Sequence, residues 1–265
     1  MGVTETFAEL VRIMERLRGP GGCPWDREQT RASIKPYVIE EAYEVAEAID
    51  DNNTDDLRAE LGDLLLQVVF HSEMAREEGL FNIEDVIRGI NEKLIRRHPH
   101  VFSNTEVKDS AEVLRNWARI KGEERQHRED NSVVSGVPRA MPALLRAHRL
   151  GEKASHVGFD WDTAGAVLEK VREELAELES AIALGEPGAV EAELVDLLFA
   201  LTSLGRHLDL QTEDALQRAS DRFIGRFRYM ERRLTERQQD VHATSATDLN
   251  NLWEEAKQHE RQQRD

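Results

Sequence analysis

Apolar residues recur along this chain at spacings of three and four, the period of one helix face. The first run covers 4–17, with Phe7, Leu10, Val11, Met14 and Leu17 in one stripe. A Gly- and Pro-rich loop is expected over 18–32, followed by a helix over 33–50. Asp51, Asn52 and Asn53 form a turn, with Thr54 or Asp55 as the expected cap of a helix reaching Glu78 and stopping at Gly79. Further helices are expected over 83–97, where Pro99 ends the run, and over 110–128. Residues 129–139 lack helical period and read as a junction. The series then resumes over 142–155, from a cap at Asp162 or Thr163 to Leu184, and over 189–208, 212–236 and 247–261. No segment combines period-two alternation with β-branched residues, so the expected fold class is all-α.

Two of these helix pairs carry acids inside the apolar stripe. Glu41 shares a helical row with Val38 and Val45, and Glu60 shares one with Leu57 and Leu64. Glu174 lies between Val171 and Leu178, and Glu193 between Val190 and Leu197. Each of these acids has a second three residues on: Glu44, Asp63, Glu177 and Asp196. Sixteen positions separate Glu44 from Glu60, and the same number separates Glu177 from Glu193. Charges on a core-facing stripe are costly unless neutralised, and clustered carboxylates repel one another. A hard divalent cation relieves both costs, and an all-oxygen donor set suits Mg²⁺ or Mn²⁺. Glu40 and Glu173, each just before a first acid, are candidates to orient or deprotonate a water. An oxygen-activating di-iron centre would need Glu-x-x-His on two helices, whereas the second member of every pair here is Glu or Asp.

The repetition extends beyond the acids. Trp25-Asp26 matches Trp161-Asp162, Lys93 and Arg97 match Arg222 and Arg226, and Trp117 and Lys121 match Trp253 and Lys257. The offset drifts by a few residues between motifs, as loop insertions and deletions produce. Two copies of one helical domain are therefore expected, 1–131 and 132–265. The basic residues are candidate phosphate clamps, and the tryptophans, four in all, are either packing residues or stacking surfaces for a base.

The 265 residues suffice for two ordinary domains, with 40% hydrophobic and 33% charged residues. The net charge of −17 argues against general nucleic-acid binding, and acidic pockets filled by cations leave room for a phosphate-bearing substrate. One cysteine, Cys23, excludes a disulfide framework and fits a reducing cytoplasm. The first residues form an amphipathic helix pattern rather than a signal peptide, and no run of about 18 apolar residues predicts a membrane span.

The motifs EEAYE…ELGD and EELAE…ELVD resemble the EExxE–ExxD signature of the MazG nucleoside triphosphate pyrophosphohydrolases, and GCPWD, RRHPHVF, VGFDWD and DLLFA resemble the tandem-domain bacterial members. The resemblance spans about 7–262. It implies an all-α homodimer and Mg²⁺-dependent cleavage between the α- and β-phosphates. The products would be a nucleoside monophosphate and pyrophosphate, and the role cleansing of the nucleotide pool. By position it implies metal ligation by Glu174, Glu177, Glu193 and Asp196, with the nucleotide held by the Lys170–Glu174 segment, Arg222, Arg226, Trp253 and Lys257. In the first half the counterparts are Glu41, Glu44, Glu60, Asp63, Lys93, Arg97, Trp117 and Lys121. The family pattern is left at Val195, where the first half keeps Gly62, and at 189–192, which carry no lysine. A rival reading from another class is a regulatory module that binds nucleotide and signals to a protein partner with little turnover.

Overall fold

The helices form where the period places them, and their ends follow local chemistry. The structure, a computed structural model, describes residues 2–103, 106–125 and 132–264. In the first half α1 spans Val3–Arg18, α2 Pro24–Glu28, α3 Lys35–Asp50, α4 Thr54–Glu77, α5 Ile83–Arg97, α6 Pro99–Phe102 and α7 Ser110–Arg125. In the second half α8 spans Ala143–Ser155, α9 Ala164–Leu184, α10 Pro187–His207, α11 Thr212–Glu236 and α12 Ala246–Arg264, with one 3₁₀ turn at Val241–Ala243. The chain is all-α, with no strand among the described residues. No helix among them is long and apolar enough to cross a membrane.

The sharp turns set the two long hairpins. Asn52 takes a left-handed φ of 53°, and Asn53 caps α4 by accepting from the backbone N–H groups of Asp55 and Asp56 at 3.2 and 3.3 Å. Asn53 therefore fills the capping role expected of Thr54 or Asp55, because its extended backbone aims the side-chain oxygen at the free amides of the first turn. In the second half Thr163 Oγ1 caps α9 through the Ala166 N–H at 3.2 Å. Gly185 closes that helix at φ 71°, where a Cβ would be strained, and Pro187 opens α10. Pro187 already lies in the helix, although the turn was expected to continue through Gly188, because its fixed φ suits a first turn. The loop expected over 18–32 contains α2, started in the same way by Pro24. Pro99 ends α5 and nucleates α6. The last residues of the helix expected over 110–128 lie outside the described residues.

The chain divides into two compact units, 1–120 and 121–265. The division lies within α7, whereas the repeat was expected to change over at 131/132. In the first unit α4 is the central helix, packed by α1, α3 and α5. Met14, Ile34, Val69, Phe70 and Met74 form its core, with Phe7, Leu10, Val11, Leu66 and Ile83 around them. Arg18 stacks its guanidinium over Phe70, binds Glu77 through Nε at 2.8 Å, and donates to the Asp26 and Gln29 carbonyls. One cation thus ties α1, α2 and α4 together.

In the second unit α8, α9 and α11 pack on α10, and α12 packs on α11. Met230, Leu234 and Leu252 are buried between α11 and α12. The loop before α9 is anchored by charge. Asp160 accepts from Arg206 at 2.8 and 2.5 Å and lies 3.0 Å from His207 Nε2. The Arg206 hydrogen bonds draw the Asp160 pKa down to about 2. A depressed carboxylate pKa contributes stability that is present above the ordinary Asp range and lost as pH falls from about 4 toward 2. Asp160→Asn is expected to lower unfolding stability by about 2 kcal/mol at pH 7, the scale of losing a charged hydrogen-bond pair, and to flatten the acid limb. Chemical denaturation at pH 7 and pH 3 checks both; an unchanged midpoint at pH 7 refutes the anchor.

Candidate functional site

Pairing α3 with α4, and α9 with α10, brings acids from two helices to one point. Carboxylate oxygens of Glu41, Glu44 and Glu60 all lie within 4.8 Å of one another. Glu174, Glu177 and Glu193 form the matching group in the second unit. The same three positions are used in both units, which no general acidity of the surface would produce. Asp63 and Asp196, one helical turn on, are exposed and lie outside these three-carboxylate groups. Asp63 still acts at a distance, because its charge is among the causes that raise the pKa values of Glu41 and Glu60.

Burial follows the apolar rows only in part. Glu174 is 6% exposed, and Glu41, Glu60 and Glu193 are half-buried. Glu44 and Glu177 are exposed on the open side. The expectation that all four acids of a set face inward holds for the first and third positions. A residue three places on is rotated about 60° from its predecessor, enough to leave the covered strip of a hairpin packed on one side.

Burial and neighbouring charge weigh against ionising several of these carboxylates together. Desolvation, then the charges of Asp63 and Glu44, push the Glu41 pKa up. Desolvation, then Glu44 and Asp63, do the same to Glu60. Glu177 is raised by desolvation, then by Glu174 and Glu193. A carboxylate whose pKa is raised by folding destabilises the fold above its ordinary range, and a bound cation cancels that cost. Three carboxylates with exposed members on one side fit a hard divalent ion that keeps positions open for water and phosphate.

The neighbours of the first acid differ between the units. Gln67, buried on α4, reaches Glu41 Oε1 with Nε2 at 3.5 Å. The sequence reading passed over Gln67; its signal is a lone amide in the run LLLQVVF, one turn after Asp63. Ala200 occupies the matching place in the second unit. There the partner is Lys170, whose Nζ lies 2.7 Å from both Glu173 Oε1 and Glu174 Oε1. Glu40 and Glu173, the proposed water-orienting acids, are both exposed.

Within each unit, basic and aromatic candidates contact one another. Arg226 stacks over Trp253 at 5.4 Å and donates from Nε to Glu260 at 2.7 Å. Phe223 packs on the same Trp253 ring at 5.1 Å, and Lys257 pairs with Glu254 at 2.5 Å. Those contacts stay within α11 and α12. Arg222 is exposed on α11. In the first unit Arg97 stacks over Trp117 at 5.5 Å, the counterpart of Arg226 over Trp253, and Lys93 is exposed one turn earlier. Trp117 and Lys121 both lie on α7, one helical turn apart and half-buried. The repeat therefore preserves a cation–π pair as well as the acids.

Comparison with known proteins finds relatives along nearly the whole chain. A family model for the MazG nucleotide pyrophosphohydrolase domain matches residues 29–102, which contain Glu41, Glu44, Glu60 and Asp63. A nucleoside triphosphate pyrophosphohydrolase of Escherichia coli (strain K12) is 46% identical over 254 residues, covering 95% of this chain and 97% of that protein. A Thermotoga maritima protein named nucleoside triphosphate pyrophosphohydrolase/pyrophosphatase MazG is 47% identical over 251 residues, covering 95% of each chain. A nucleoside triphosphate pyrophosphohydrolase of Mycolicibacterium smegmatis is 35% identical over 169 residues, 63% of this chain and 51% of that protein. With acid groups repeated in both halves and likeness running along nearly the whole chain, this protein belongs to the MazG family of nucleotide pyrophosphohydrolases.

Proposed function

We propose that the protein hydrolyses ribo- and deoxyribonucleoside triphosphates to a nucleoside monophosphate and pyrophosphate, with Mg²⁺ as cofactor and Mn²⁺ as a substitute. The observation that carries this reading is the pair of carboxylate trios at matching positions on α3–α4 and α9–α10. A bound divalent ion supplies charge for the phosphates and lowers the pKa of a water. Glu41, Glu44 and Glu60, and Glu174, Glu177 and Glu193, would hold that ion, with Asp63 and Asp196 as further candidate ligands one turn on. Glu40 or Glu173 orients the water and takes its proton. The water oxygen bonds to phosphorus at the α–β anhydride, and the bond to the bridging oxygen breaks. Arg222, Arg226 and Lys257, with Lys93, Arg97 and Lys121 in the first half, offset the charge that gathers on the departing phosphates. Trp253 and Trp117 give a flat face for the base.

The repeats are taken as 1–131 and 132–265, because α7 then completes the first copy as α12 completes the second. The protein acts as a homodimer. Leu61, Leu65 and Val68 on α4 are 40–49% exposed, and Leu194, Leu198 and Leu201 at the matching positions of α10 are 42–45% exposed. An apolar stripe preserved in both repeats and left uncovered within each unit fits burial against a second copy. Pool cleansing in a reducing cytoplasm is the proposed role.

Product analysis tests the reaction. With Mg²⁺ and a panel of triphosphates, the expected products are monophosphate and pyrophosphate in equal amounts, lost on chelation with EDTA and restored by excess Mg²⁺. Diphosphate with orthophosphate would overturn the assigned bond. Tight nucleotide binding without product would instead favour the regulatory module acting through a protein partner.

A further inference from the structure

The two cages differ in a charged neighbour that their duplication does not explain. Lys170 stands four residues before Glu174, one helical turn away on the same face. Its ammonium lies 2.7 Å from Glu174 Oε1 and 2.7 Å from Glu173 Oε1. Tyr37 holds the matching position before Glu41. Among the described residues, no Lys, Arg or His side chain lies within ion-pair distance of Glu41, Glu44, Glu60 or Asp63, and the side-chain partner of Glu41 from α4 is the neutral Gln67 amide. The first cage is therefore bare acid, and the second carries its own cation.

We propose that Lys170 is a tethered counter-ion of the second cage, which keeps a free divalent cation out until nucleotide phosphate arrives, whereas the first cage takes the cation alone. The inference rests on reading the two acid trios as metal sites. A divalent ion on Glu174 Oε1 and an ammonium 2.7 Å from that same oxygen would be close like charges beside a carboxylate that is 6% exposed. Lys170 must leave Glu174 Oε1 for that oxygen to take the ion. Glu173 is exposed and keeps one contact with the ammonium, so the displaced group stays at the rim with donors to spare. A triphosphate supplies the acceptors those donors lack. Ion and phosphate then enter the second cage together, each making the other's entry easier.

The test is Mn²⁺ binding by the full chain, read from the electron paramagnetic resonance signal of the free ion, with one cage disabled at a time. Glu41→Gln/Glu44→Gln/Glu60→Gln leaves the second cage; Glu174→Gln/Glu177→Gln/Glu193→Gln leaves the first. Circular dichroism checks that both variants are folded. Without nucleotide, the first cage is expected to bind Mn²⁺ about two- to fivefold more tightly than the second, the scale set by one partly exposed ion pair. Lys170→Gln should close that gap, and Tyr37→Lys should weaken the first cage by a similar factor. A non-hydrolysable triphosphate with a methylene between its α- and β-phosphorus should tighten Mn²⁺ at the second cage more than at the first. Equal affinities in the two cages, or a second cage unchanged or weakened by Lys170→Gln, would overturn the counter-ion role while leaving the metal cages intact. No Mn²⁺ binding at either cage would overturn the cage reading and the inference with it.

Discussion

Replacing Glu41 and Glu174 together by alanine is expected to cut formation of monophosphate and pyrophosphate at least about a thousandfold, the consequence of losing several kcal/mol of transition-state stabilisation. Glu174 is the buried member of its trio and Glu41 one of two half-buried members of its own, so each would hold a bound ion on a side that water reaches less. The fold is expected to survive. Removing Glu41 ends the burial cost of its charge and relieves repulsion with Asp63 and Glu44, the causes that now raise its pKa. Removing Glu174 leaves Lys170 paired with Glu173 at 2.7 Å. Helicity should therefore be unchanged and the denaturation midpoint moved little, which separates lost chemistry from lost structure. The single variants divide the activity: whatever turnover Glu174→Ala retains belongs to the first unit, and whatever Glu41→Ala retains belongs to the second. Full activity in the double variant would remove the acid trios from the mechanism.

What the sequence made legible, and what it did not, follows from the range of the interactions involved. Helix period and caps are local, so the spans of α9 and α10, the Thr163 cap and the Gly185 stop were readable from neighbours in the chain. Even there, Asn53 rather than Thr54 capped α4, since the cap depends on one backbone angle that composition does not state. The acids were readable because Glu41, Glu60, Glu174 and Glu193 break apolar rows, and the structure brings three members of each set together. The exposure of Glu44 and Glu177 was not readable. It depends on which side of a hairpin another helix covers, a tertiary fact. Gln67 was missed for the same reason, because its amide meets Glu41 across two helices, 26 residues apart in sequence. The Asp160–Arg206–His207 anchor also joins distant positions, 46 residues apart at its shortest, and only folding shows that the loop before α9 lies at the end of α10.

Leu194→Ser combined with Leu198→Ser is expected to convert the protein from dimer to monomer and to reduce turnover in the second unit at least about tenfold. Both leucines lie on the uncovered stripe of α10, at 45% and 44% exposure, so neither is needed to build the unit itself. Serine is the informative replacement. A new carboxylate would sit within a turn of Glu193 and Asp196 and disturb the cage directly. In a two-fold dimer each change is felt twice, so four leucines lose burial. At about 1.5 kcal/mol for each, association weakens by about 6 kcal/mol, or roughly ten-thousandfold in the dissociation constant. The effect on turnover follows from where the stripe lies. Leu194 directly follows Glu193, and Glu177 and Asp196, on the same hairpin, are exposed within one unit. A second copy covering the stripe would close off that part of the hairpin, exclude water and strengthen every charge interaction in the cage. Light scattering after size exclusion gives the mass, circular dichroism the fold, and the product assay the turnover. A folded monomer with weakened turnover supports a cage completed by its partner. A wild-type protein that is already monomeric and fully active would leave the uncovered leucines without that role.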